Sequence, residues 1–143
     1  MRAALLTTAL VLGLAAPAGA ADPIMPLAEV QKGMRCTGLS VIEGTEVSSF
    51  DVEVLDVLAG DEAAAAPRIL LRVSGEAVDR TGLGPGFSGS PVICRDREGR
   101  DAYAGAISES VGEYGGKIGL ATPMENVVAQ PVDPPVAQPP APR

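Results

Sequence analysis

The stretch SFDVEVLDVL, Ser49–Leu58, decides the fold class. Phe50, Val52 and Val54 fall on one face at period two, with Asp51 and Glu53 opposite, which is the pattern of a half-buried strand. The phase then slips, because Asp56 would land on the apolar face just ahead of Val57. One extra residue near Leu55, a β-bulge, absorbs the slip and keeps the strand intact.

Working outward, similar short runs recur on both sides. MRCTGLSVI precedes it, and RILLRV, PVICR, AYAGAIS and KIGLAT follow, separated by Gly, Pro and Asp clusters. Short strands at this spacing predict an all-β domain of mainly antiparallel strands, barrel-like or half of a barrel pair. Helix is minor. GEAVDRTG predicts one or two turns ended by Gly82, and DEAAAAPR reads as a loop because its proline stops any helix. TPMENVVAQ predicts one short C-terminal helix with Thr122 as N-cap, Pro123 first and Glu125 third.

Composition sets the boundaries. Residues 1–20 carry Arg2, an apolar stretch and the small-residue signal Ala18-Gly19-Ala20, so they read as a signal peptide, with a retained anchor as the other reading. The run is interrupted by Pro17 and is short for a membrane span. Residues 130–143, QPVDPPVAQPPAPR, form a proline-rich tail or linker that favours extended, solvated chain. The domain is therefore expected over residues 21–129, exported to the surface, the periplasm or the medium. The net charge of −7 and the lack of a Lys/Arg cluster argue against a nucleic-acid partner. With two Phe, two Tyr and no Trp, the core must come from Val, Ile, Leu and Ala.

Cys36 and Cys94 are the only cysteines. In an oxidising compartment a disulfide is the first expectation, and it would stabilise the fold by about 2–4 kcal/mol; two separate buried thiols are the alternative. Two thiols without histidine do not make a structural zinc set, and no metal or cofactor is expected.

The chemistry concentrates in GPGFSGSPV, Gly84–Val92. Gly84–Gly89 matches G-x-G-x-x-G in form, but Pro91 and a β-type run follow where a dinucleotide site needs a helix. A nucleophilic serine, by contrast, needs a sharp turn with backbone N–H groups converging on the developing oxyanion. Gly86 and Gly89 allow such a turn, and the strand from Pro91 anchors it. The motif with the downstream Gly105-Ala106 pair is similar to the nucleophile region of chymotrypsin-like β-barrel peptidases.

Taken in order, MPLAEVQKGMRCTGLSVIEGT, FDVEVLDVL, ILLRVSG, DRTGLGPGFSGSPV and IGLATPME resemble the SpoIVB-type serine peptidase domain over most of Met25–Val128. The resemblance implies cleavage of peptide or protein substrates, Ser88 as nucleophile, the Gly86 and Ser88 amides as oxyanion donors, and Ser90 as a neighbour within the turn. The family's histidine, in a Gly-His segment, has no counterpart, since the 143 residues contain no histidine. Its acid maps near Ser74, so no acid residue is carried over. Lys32 and Lys117, both beside glycine in turn-like sequence, are poor candidates for a Ser-Lys dyad. Three explanations stay open: a downstream domain carries the base, a partner chain supplies it, or the domain is a non-catalytic peptide-binding or interaction module.

Overall fold

The computed structural model describes residues 23–60, 66–113 and 115–131. The signal-peptide reading, all but the last alanine of the run in DEAAAAPR and all but the first two residues of the proline-rich stretch lie outside them. Six strands run β1 (Arg35–Val41), β2 (Val47–Leu58), β3 (Arg68–Ser74), β4 (Pro91–Arg95), β5 (Asp101–Val111) and β6 (Ile118–Pro123). They close into an antiparallel barrel in the order β1-β2-β3-β6-β5-β4. Two three-stranded meanders, β1-β2-β3 and β4-β5-β6, are thus joined along two seams, β3–β6 and β1–β4. Among the described residues no helix is long and apolar enough to cross a membrane.

The bulge in β2 falls where the phase slips. Val54 pairs with Leu71 and Asp56 with Leu70, leaving Leu55 as the extra residue. Val52 and Val54 are fully buried, Asp51 and Asp56 are exposed, and Val57 returns against the core. Glu53 departs from the expected exposure: its side chain is half-buried between Arg35 (3.8 Å) and Arg72 (3.4 Å), which shield it from both neighbouring strands.

The barrel interior is filled by Val, Ile, Leu and Ala, as the aromatic count requires, including Ile69, Leu71, Val73, Val92, Ala104 and Ala121. Phe50 is the strand-borne ring in the buried core. It lies over its register partner Gly38, where an added Cβ would come within 2.3 Å of the ring. Cys36 and Cys94 are register partners across the β1–β4 seam and form a disulfide within the core.

Among the described residues, helical structure is confined to a 3-10 turn at Leu27–Glu29, α1 (Glu76–Asp79) and α2 (Met124–Val128). The single turn of α1 buries Val78, and the chain leaves it through Gly82 at φ 60°. The α2 helix exists as expected, but its start is shifted. Thr122 is not a cap: it stays in β6 opposite Ala106, and Pro123 occupies the N-cap position without a side-chain cap bond. Strand pairing outweighs the local capping signal there. Glu125 instead accepts a hydrogen bond from the Leu27 amide at 3.3 Å, tying α2 to the N-terminal turn.

The β4–β5 hairpin is organised by Asp96, whose carboxylate accepts bonds from the Glu98 and Arg100 amides and from the Arg100 side chain at 2.8–2.9 Å. Partial desolvation opposes its ionisation, but these donors and the Arg100 charge outweigh it and hold the carboxyl below its ordinary value. A lowered folded pKa stabilises above the unfolded carboxylate range, about pH 4, and that contribution is lost as pH falls through the folded value. Asp96→Asn should therefore lower stability at pH 7 and flatten the acid limb of a stability–pH curve.

Two further outcomes are expected. Oxidised mature protein should show no titratable thiol after denaturation. Gly38→Ala should lower the urea midpoint by the equivalent of about 1–3 kcal/mol through overpacking against Phe50, without changing the m value.

Candidate functional site

The chain from Gly84 to Ser90 makes two successive tight turns at one end of the barrel. Phe87 N–H donates to the Gly84 carbonyl (3.2 Å), and Ser90 N–H donates to the Phe87 carbonyl (3.0 Å). Gly86 (φ 100°) and Gly89 (φ 91°) occupy the third positions, where a type II turn needs positive φ. Pro85 and Ser88 hold the second positions. Gly89 N–H then donates to the Ile107 carbonyl (2.8 Å) and Ile107 N–H to the Ser90 carbonyl (2.9 Å), fastening the second turn to β5.

Phe87 faces inward, packed edge-on to Phe50 with centroids 5.9 Å apart and planes at 73°. The residue that follows it is thereby turned outward. Ser88 is exposed, and its hydroxyl donates to the Ser108 carbonyl at 3.3 Å. Ser90 is the opposite case: buried, with its hydroxyl 2.9 Å from that of Ser40 on β1. One serine is presented and the other is built into the wall.

The Gly86 and Ser88 amides donate no hydrogen bond to any described residue. Both residues are exposed. Beside them runs a groove of about 450 Å³, bounded by Leu83, Pro85 and Phe87 on one wall and Ile107, Ser108 and Ser110 on the other. Its β5 wall is irregular because Ser108 is the bulged residue between Ile107↔Ala121 and Glu109↔Leu120. Beyond Ile107, whose main-chain groups are taken by Gly89 and Ser90, β5 has no strand partner on its β4 side among the described residues.

No lysine is brought to Ser88. Lys117 is engaged in an ion pair with Asp79 beside α1, and Lys32 is exposed in the turn before β1. Ser74 ends β3 opposite Asp51, on the other meander, and does not line the groove. Among the described residues no three His, Cys, Asp or Glu side chains gather into a metal-sized group. Sequence reasoning did not single out Ser40 or Ser108. Both contacts are long-range, 50 and 20 residues from their partners, and no local motif marks them.

Neither known family models nor curated proteins give a match to this chain.

The two turn serines should separate on mutation. Ser88→Ala should change stability by no more than about 0.5 kcal/mol, as expected for an exposed side chain with one long bond. Ser90→Ala should cost about 1 kcal/mol, because it strips a buried hydroxyl contact from Ser40. Urea denaturation of the two variants checks both values.

Proposed function

We propose that this chain is an exported serine peptidase domain of SpoIVB type, related to chymotrypsin-like barrels, with Ser88 as nucleophile and the Gly86 and Ser88 amides as oxyanion donors. The single observation that carries the reading is the paired turn. It projects one serine from a strand junction, leaves the Gly86 and Ser88 amides without a partner among the described residues, and sets that serine at the rim of a groove. An extended peptide suits that groove. Beyond Ile107, the β4 side of β5 has no strand partner among the described residues and offers an edge for strand addition, and Leu83, Pro85 and Phe87 offer apolar contact.

Turnover needs a base. Ser88 donates to a main-chain carbonyl, which cannot take up the hydroxyl proton at neutral pH, and the sequence holds no histidine. As the 143-residue chain, the domain binds peptide and acylates only sluggishly; a downstream domain or partner chain carrying histidine completes it. The absence of histidine equally favours a second reading, a peptide-binding module that keeps the turn for recognition alone. Serine enzymes stripped of a triad member still reach about 10³–10⁴-fold over water, so an intact oxyanion site leaves a measurable residue.

Chemical rescue distinguishes the two. Imidazole supplied in solution should raise ester hydrolysis by the native chain above that of Ser88→Ala, with fluorophosphonate labelling of Ser88 rising in parallel. Peptide binding without any Ser88-dependent increment would leave the binding module standing and remove the peptidase. Fast Ser88-dependent proteolysis without added base would show that another residue of this chain serves as base.

A further inference from the structure

We propose that the Cys36–Cys94 disulfide is a redox bolt on one seam of the barrel, and that the Ser88 turn keeps its geometry only while the bolt is oxidised. The inference rests on the seam and the turn, and does not depend on whether Ser88 is catalytic.

The β1–β4 seam is the shortest of the six strand pairings. It has three residue pairs, Cys36↔Cys94, Thr37↔Ile93 and Gly38↔Val92, against seven for β1–β2. One of the three is the disulfide itself, and another contains a glycine that offers no side chain. The next contact along the line is the Ser40–Ser90 hydroxyl bond at 2.9 Å. At the other end the same register sets Arg35 opposite Arg95, and both line one crevice over the seam. Neither guanidinium bridges it. Arg35 turns back to Glu53 on β2 (3.8 Å), and Arg95 turns to Asp101 on β5 (3.0 Å). Like charges opposite one another across strands add nothing to closure.

The strand on the far side of this seam is the one that holds the site. β4 starts at Pro91, directly after the second turn, and Ser90 is already part of the seam. Its other neighbour, β5, holds it through five pairs interrupted by a bulge at Val92/Ile93. Loss of the bolt therefore releases β4 toward solvent on its β1 side, and the turn loses the Ser90 anchor with it. The β2–β3 pairing, seven pairs long and distant from the seam in strand order, is unaffected by that opening.

A dithiol reductant would drive the change. One thiolate attacks the Cys36 sulfur, the less buried of the two, and the S–S bond breaks with Cys94 leaving as thiolate and taking up a proton. The second reductant thiol then displaces Cys36 and closes the reductant's own disulfide, so two electrons and two protons pass to the domain. Such a device confines an ordered Ser88 turn to oxidising surroundings.

Hydrogen exchange read by mass spectrometry tests this on the mature chain in three forms: oxidised, reduced with dithiothreitol and verified by titration of two thiols, and Cys36→Ala/Cys94→Ala. Both bridge-free forms should show exchange across Arg35–Ser40 and Gly84–Arg95 accelerated at least about tenfold beyond any acceleration across Val47–Ser74. The double variant keeps the test open if the native bridge resists the reductant. Unchanged protection of the seam would overturn the proposal, and so would equal acceleration or complete loss of protection in all six strands, since the bridge would then support the whole barrel and not the seam.

Discussion

The chain's two phenylalanines meet edge to face, and the direction in which the Ser88 turn points follows from that contact. Phe50 comes from the middle of β2, where it covers Gly38 and faces the barrel interior. Phe87 comes from the loop and reaches the same ring. In a core otherwise made of aliphatic side chains, an aromatic pair supplies large buried area with a preferred geometry. The loop is thus pinned by one side chain, and the residues on either side of Phe87 must point the other way. The two glycine turns make that reversal sterically free, one before the pin and one after it.

The same arrangement separates the roles of neighbouring hydroxyls. Ser88 lies on the solvent side of the pin and Ser90 on the strand side, where β4 begins. Backbone bonds to Ile107 fix the second turn against β5, so Ser88 is carried by a rigid junction and not by a free loop. The bulge at Ser108 turns a main-chain carbonyl toward it, which a regular strand would have spent on pairing. Bulges commonly re-aim groups beside functional surfaces in this way.

Much of the barrel was legible in the sequence because its cause is local. Period-two alternation placed all six strands, and the out-of-phase Asp56 located the bulge at Leu55. PVICR is β4 residue for residue. The disulfide was legible as a pair because only two cysteines exist, but its place on the closing seam depends on how β1 and β4 meet. Reading failed where long-range pairing overrode a local signal. Thr122-Pro123-Met124-Glu125 has the composition of a helix start, yet pairing with Ala106 and Gly105 on β5 keeps Thr122 and Pro123 in the sheet. Glu53 has the composition of a solvent face, yet two arginines from flanking strands cover it. Ser40 and Ser108 carry no local signature at all.

The distinction between a turn that presents a hydroxyl and a site that uses one comes down to where a proton can go. On the proposed reading, the Gly86 and Ser88 amides, which donate to no described residue, act on charge once it develops. Deprotonation is a separate requirement, and a hydroxyl resting on a carbonyl at 3.3 Å does not meet it. On that reading, the electrostatic half of the chemistry is separable from its acid–base half. Because the proposed donors are backbone groups while a base is a side chain, the two halves need not be carried by one chain.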